Sequence, residues 1–208
     1  MEIESRSQPQ PHCHLEHSFW LVPAEPLNGQ LRAIIGQLVE KYDAIDFEPH
    51  VTISSGPSDD VLTQTIARGI SSLCSRVELI PLKLEHSSAF AKTLFIQFQD
   101  SGAARQMSDA IKALNARCAN YVLNPHLSLV YKTMPIAMRA EICQMLDVPK
   151  QTYVFDRVRA IETEIPLTEP AQVKRWRTVF ECRLEGRQRG VAASRSCHRA
   201  EPPDLVPR

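Results

Sequence analysis

Two short segments of the chain repeat the same order of residue types. Residues 49–53 (PHVTI) and 125–129 (PHLSL) each run proline, histidine, apolar residue, hydroxyl residue, apolar residue. Side chains alternate between the two faces of a strand, so the histidine and the hydroxyl residue share one face and the apolar residues share the other. A single run of histidine, any residue and a hydroxyl residue occurs by chance in many chains. Two copies in matching positions favour a shared functional site.

Two imidazoles beside two hydroxyls suit the hydrolysis of a cyclic phosphate. One imidazole can take a proton from water while the other gives a proton to the leaving oxygen. The hydroxyls can hold the non-bridging oxygens as negative charge builds in the transition state. This chemistry needs no metal and no cofactor, and the six cysteines form no C-x-x-C pair that would indicate a structural zinc site.

Hydrophobic periodicity places both segments on strands of an α+β fold. The order helix, strand, helix, two strands occurs twice, which indicates an internal duplication. We therefore expect two pseudo-symmetric lobes, each a mainly antiparallel sheet covered by helices, with the active-site cleft between the sheets. The predicted helices cover 27–42, a segment opening at Ser58, 103–118 and 135–146, and the predicted strands cover 18–22, 50–54, 77–84, 94–98, 126–131, 154–161 and 176–184.

Composition and charge narrow the class of protein. The 208 residues are 43% hydrophobic and 23% charged, and no apolar run reaches the roughly 20 residues that span a bilayer. The N-terminus lacks the apolar stretch of a secretory signal, so a cytoplasmic location is expected, with a nuclear one left open. Residues 1–186 hold 19 basic and 22 acidic residues, which argues against binding long nucleic acids.

The chain divides into a body and a tail. Residues 1–186 are predicted to form a single bilobal domain. Residues 187–208 lack apolar periodicity and contain three prolines, so they are predicted to be a disordered tail. The closing LVPR looks like the remnant of a thrombin cleavage site. At the other end, His12, Cys13, His14 and His17 are interpreted as part of a solvated arm that could bind a metal only adventitiously.

The two segments and their flanks resemble the paired signatures of the two-histidine phosphoesterases. Residues 47–53 (FEPHVTI) and 124–131 (NPHLSLVY) carry the resemblance, together with 18–23 (SFWLVP) and 176–184. Within that superfamily the chain is most similar to the cyclic phosphodiesterases that act on ADP-ribose 1″,2″-cyclic phosphate and nucleoside 2′,3′-cyclic phosphates. The likeness covers nearly the whole body.

The resemblance implies a role for each site residue. His50 and His126 would be the catalytic pair, with His126 as base and His50 as acid. Thr52 and Ser128 would bind the phosphate, and Tyr131 would hold the phosphate or order the site. Trp20 would contact the substrate, although filling the core explains it equally well. Some relatives carry a disulfide at positions resembling Cys74 and Cys182, which a cytosolic chain would keep as thiols.

The function expected from this resemblance is hydrolysis of small cyclic phosphates left by RNA and tRNA splicing. ADP-ribose 1″,2″-cyclic phosphate would give ADP-ribose 1″-phosphate, and nucleoside 2′,3′-cyclic phosphates would give 2′-phosphates. An RNA-end-processing enzyme, 2′–5′ ligase-like or exonuclease-like, and a non-catalytic nucleotide-binding module stay open as alternatives. We expect a monomer whose partner is a small cyclic nucleotide, with no membrane and no long nucleic acid.

Overall fold

The computed structural model describes residues 13–186, so the predicted tail at 187–208 lies outside the described part. Over this range the chain forms eight strands, five α-helices and two short 3-10 turns, at Phe90–Lys92 and Ala116–Cys118. The strands are β1 (His14–Pro23), β2 (Val51–Gly56), β3 (Val77–Leu79), β4 (Pro81–His86), β5 (Leu94–Phe98), β6 (His126–Val130), β7 (Tyr153–Ile165) and β8 (Arg177–Arg183). The helices are α1 (Leu27–Tyr42), α2 (Asp60–Ser71), α3 (Gly102–Leu114), α4 (Ile136–Met145) and α5 (Pro170–Lys174).

All eight strands belong to one antiparallel sheet, which confirms the α+β class. The order is β3-β7-β1-β2-β6-β5-β4, with β8 also paired to β7. The two halves of this sheet meet where Val51 of β2 pairs with Leu127 of β6. Both residues are fully buried. The halves are therefore continuous, whereas two separate sheets with a cleft between them were expected. They do not coincide with the two sequence repeats, because β4 and β5 of the first repeat join β6, whereas β7 and β8 of the second repeat join β1.

The segment predicted as one strand at 77–84 is two strands, which stand at the two ends of the strand order. β3 pairs with β7, and β4 pairs with β5, yet only Ile80 separates β3 from β4 in the chain. Two strands at the two ends of the strand order can be neighbours in sequence only if the sheet curls. Pro81 has no N–H to donate, which suits the first position of an edge strand.

Helices α1 and α3 each pack mainly on the half of the sheet that does not contain the strands next to them in the chain. Helix α1 comes just before β2 in the chain but packs mainly against β6, while α3 comes before β6 and packs against β2. Helix α2 covers β7 and β8, and α4 covers β4. The buried face of α1 carries Leu31, Ile35 and Leu38 at helical spacing, as its sequence predicts.

Helix α1 ends at a tight contact with the second half of the sheet. Asp43 adopts the left-handed conformation with φ of 49° just after the helix. The Lys132 ammonium, two residues after β6, donates to the carbonyl oxygens of Tyr42 at 2.6 Å and Asp43 at 2.7 Å. A cation on these terminal carbonyls satisfies acceptors that the helix itself leaves free.

Candidate active site

The pairing of β2 with β6 brings the two sequence motifs together. With Val51 opposite Leu127, the antiparallel register sets His50 opposite Ser128 and Thr52 opposite His126. Paired residues project from the same side of a sheet, so all four side chains share one face. The arrangement has an approximate two-fold axis through the central apolar pair, as a duplicated motif should.

Each histidine is anchored in the same way. Nδ1 of His50 donates to the carbonyl oxygen of Glu48 at 2.7 Å, and Nδ1 of His126 donates to that of Asn124 at 2.8 Å. A carbonyl oxygen only accepts, so the proton of each neutral ring lies on Nδ1 and the Nε2 lone pair is free. Glu48 is held in turn by ion pairs from its carboxylate to Arg32 and Arg159.

Aromatic rings enclose His50. Its imidazole stacks on Trp20 with centroids 3.6 Å apart and planes 9° apart, and Trp176 meets both rings edge-on. The Tyr131 hydroxyl lies 3.5 Å from Nε2 of His50, a long contact, while the Tyr131 ring stacks on Phe47 at 3.9 Å. Trp20 is 4% exposed, so its clearest role is to fix the plane of the imidazole. Its contact with substrate stays a prediction.

The two hydroxyl residues differ in their surroundings. Ser128 is buried and donates its proton to the carbonyl oxygen of Ala91 at 2.7 Å. Its hydroxyl must therefore rotate before it can donate to a ligand. Thr52 is only partly buried, as is His126, whereas His50 is 6% exposed. A ligand from solvent thus meets the His126 and Thr52 end of the site first.

Both imidazoles are held neutral in the ligand-free protein. Burial, and then the nearby His126, lowers the pKa of His50 from 6.5 to about 3. Burial lowers the pKa of His126 to about 4, with a further lowering by Lys92, although the bond to Asn124 acts in the opposite direction. Burial also raises the pKa of Tyr131, which keeps its hydroxyl a donor.

Residues outside the two motifs complete the surroundings, and sequence patterns hardly indicate them. Phe95 of β5 pairs with Ser128, and its ring meets the His126 ring edge-on at 5.6 Å. The Lys92 ammonium lies 4.3 Å above the Phe95 ring. The indole N–H of Trp176 is buried and has no hydrogen-bond partner within residues 13–186. The strand predicted at 94–98 could have indicated Phe95, but nothing in the turn before it distinguishes Lys92.

A second cluster of ionisable groups lies on the helix-covered side of the sheet. His17 is 3% exposed and donates through Nδ1 to Thr63 of α2 at 2.6 Å, so its interpretation as part of a solvated arm is wrong. Its Nε2 faces Asp60 and Glu162 at 3.5 and 3.6 Å, a donor set of the kind that can hold a metal ion. Arg177 hydrogen-bonds to both carboxylates, so the cluster already contains a counter-charge.

Comparison with known proteins gives matches of fold alone. No family model matches the chain, and no curated protein matches its sequence. Among solved structures, Escherichia coli LigT complexed with 3′-AMP has a TM-score of 0.52 at 10% identity, covering 81% of this chain and 97% of LigT. A further phosphoesterase gives 0.51 at 10% identity, covering 82% and 99%. The chain has the fold of these phosphoesterases.

A third structure with this fold is TT0787 of Thermus thermophilus, with a TM-score of 0.51 at 12% identity over 82% of this chain and 98% of that one. The phosphoesterase fold predicted from the two echoed motifs is therefore confirmed. Within residues 13–186, no helix has the length and apolar character needed to cross a membrane.

Proposed function

We propose that the chain is a metal-free cyclic phosphodiesterase in which His50 and His126 exchange protons with the reacting oxygens. The observation that supports this most directly is the two-fold arrangement of the motifs. Each imidazole has Nδ1 bound to a carbonyl and Nε2 free, and each lies opposite a hydroxyl residue across the β2–β6 pair. A phosphoryl group between the two Nε2 atoms would meet one base, one acid and two hydroxyl donors.

The reaction is an in-line displacement at phosphorus. Water attacks the phosphorus and forms a new P–O bond while the bond to the leaving 3′ oxygen breaks. One imidazole takes the water proton, and the imidazolium opposite it gives its proton to the leaving oxygen, so the pair ends with its protons exchanged. Because attacking and leaving oxygens lie on opposite sides of phosphorus, base and acid must come from opposite motifs.

The roles of the two histidines follow from the family resemblance. His126 acts as base and His50 as acid, which leaves the phosphate on the 2′ oxygen, or on the 1″ oxygen of ADP-ribose. Turnover of a substrate with a better leaving group by the two alanine variants distinguishes this assignment from the reverse one.

The substrates proposed are nucleoside 2′,3′-cyclic phosphates and ADP-ribose 1″,2″-cyclic phosphate. LigT, which has the same fold, was crystallised with 3′-AMP and with NADP+, both small nucleotides. The mildly acidic charge of residues 1–186 fits a small ligand better than a long RNA. A non-catalytic nucleotide-binding module would not need both histidines and both hydroxyls, and all four are present.

The proposal is tested by turnover of a panel of cyclic mononucleotides and ADP-ribose cyclic phosphate. His50→Ala and His126→Ala should each lower kcat by about a hundred- to ten-thousandfold, the range of general acid–base catalysis. Thr52→Ala should cost about ten- to a hundredfold, because it removes one donor from a shared anion site. His14→Ala, an exposed histidine on β1, is the matched control and should keep wild-type activity.

Two results would contradict the proposal. If His126→Ala kept most of its activity, the reacting group would be elsewhere. If the wild-type protein bound an RNA oligomer with a steep salt dependence and turned over no cyclic mononucleotide, the RNA-end alternative would replace it.

A further inference from the structure

The ammonium group of Lys92 stands beside the two motifs without belonging to either. Lys92 is the last residue of the 3-10 turn Phe90–Lys92, which leads into β5. Its Nζ lies 4.3 Å from the centre of the Phe95 ring. Phe95 pairs with Ser128, so its ring projects from the face that carries the motif side chains. The cation therefore lies over the same face as His126.

The turn that carries Lys92 is tied to the second motif by hydrogen bonds. Ser128 donates to the carbonyl oxygen of Ala91 at 2.7 Å, and Thr93 donates to that of Lys132 at 2.6 Å. Ser87 donates to the Lys92 carbonyl oxygen at 2.8 Å. Because the backbone on both sides is held, only the side chain of Lys92 is free to move toward a ligand.

Within the described residues, no carboxylate lies within ion-pair distance of the Lys92 ammonium. The carboxylate that affects the ammonium electrostatically is that of Glu85 on β4. Glu85 pairs with Phe95 in the sheet and is itself ion-paired to Lys83. Lys92 is partly buried, and burial lowers its pKa while Glu85 raises it. A partly desolvated ammonium without a counter-ion gains more from binding an anion than a solvated surface lysine does.

We propose that Lys92 is a phosphate-binding residue of the site, donating a charge-assisted hydrogen bond to a non-bridging oxygen on the His126 side. The identity of the substrate rests on the proposed function. Binding of a phosphate group by Lys92 does not depend on that function and can be tested without turnover. The partly exposed His126 end is where a ligand enters, so Lys92 also lies on the approach path. As the phosphoryl group gains negative charge in the transition state, the bond from Lys92 strengthens, so its effect extends to kcat.

The first experiment measures turnover of a cyclic mononucleotide by three variants. Lys92→Met should lower kcat/KM by about a hundredfold, the effect of losing one charged donor. Lys92→Arg keeps the charge and should restore activity to within about tenfold of wild type. Lys150→Met removes a fully solvated lysine beyond α4 and should change kcat/KM less than about threefold. A Lys92→Met enzyme with wild-type kcat/KM would overturn the proposal.

The second experiment needs no turnover, so it separates this proposal from the proposed function. Inorganic phosphate is titrated while the His126 imidazole is followed by NMR. Lys92→Met should weaken phosphate binding about tenfold, since it removes one charge-assisted contact. It should also raise the pKa of His126, because the Lys92 charge lowers it in the wild type. Unchanged phosphate affinity with an unchanged His126 pKa would show that Lys92 only packs on Phe95.

Discussion

Neutral, buried His50 should make the protein sensitive to mild acid. Its pKa is about 3 in the folded protein and near 6.5 in an unfolded chain. Between these values the unfolded chain takes up a proton that the folded protein does not, so the free energy of unfolding falls as pH falls below about 6.5. The stability from keeping His50 neutral is thus fully present above pH 6.5 and lost progressively down to about pH 3.

The size of the loss follows from the two pKa values. At pH 5 an unfolded histidine is about 97% protonated while folded His50 stays neutral, and the difference is worth about 2 kcal/mol. Because His50 is 6% exposed, solvent screening reduces this little. His126 acts in the same direction, but it is partly exposed and its share should be smaller. Few carboxylates titrate at pH 5, so the histidines dominate this interval.

The measurement is urea unfolding at pH 7.5 and pH 5.0 for wild type and His50→Gln. The glutamine cannot titrate, so His50→Gln should lose about 2 kcal/mol less than wild type over this interval, whatever its stability at pH 7.5. An NMR titration of wild-type His50 checks the cause directly, since the ring should stay neutral down to about pH 4. Equal losses for wild type and His50→Gln would refute this reasoning.

Three further predictions follow from the site and its packing. A substrate with a much better leaving group should rescue His50→Ala far more than His126→Ala, and the opposite result would reverse their roles. Catalysis needs one protonated and one neutral histidine, and the pKa values of about 3 and 4 leave ever fewer molecules with a protonated ring as pH rises. We therefore expect kcat/KM to fall by up to about tenfold per pH unit above pH 5, and a maximum near neutrality would contradict this. Gly56→Ala places a Cβ 2.9 Å from the Cys118 sulfur and should lower the free energy of unfolding by about 1–3 kcal/mol. The control Gly36→Ala lies in α1 with nothing within 4 Å of the new Cβ, and it should raise the free energy of unfolding by about 0.5–1 kcal/mol.

The sequence predicted that the two repeated motifs lie close together. His50, His126 and their hydroxyl partners were singled out because alternation along a strand is a local property and two copies reinforce each other, and the structure places all four on one face. The α1 boundaries were predicted correctly, since Leu31 and Ile35 recur at helical spacing. The fold class followed from the same local patterns.

What the sequence could not predict depends on contacts between distant residues. Periodicity shows that a helix has a buried face, but it does not say which strand covers that face, so the packing of α1 on β6 and of α3 on β2 was missed. His17 looked like part of an arm because its partner Thr63 is 46 positions away. Lys92 lies in a turn with no pattern, and its proximity to His126 depends on the pairing of β5 with β6.

The packing of the two repeats on each other has a consequence for the origin of the chain. If the two repeats of helix, strand, helix and two strands descend from one ancestral unit, that unit could not have formed half of the sheet alone. The last strands of the first repeat, β4 and β5, pair with β6 of the second repeat, and α1 of the first repeat also covers β6. The apolar face holding Leu31, Ile35 and Leu38 would have been left in water. The ancestor is therefore expected to have been a domain-swapped homodimer, with its single histidine motif used twice across the symmetry axis. Gene fusion would then have let the two copies diverge into the different surroundings of His50 and His126.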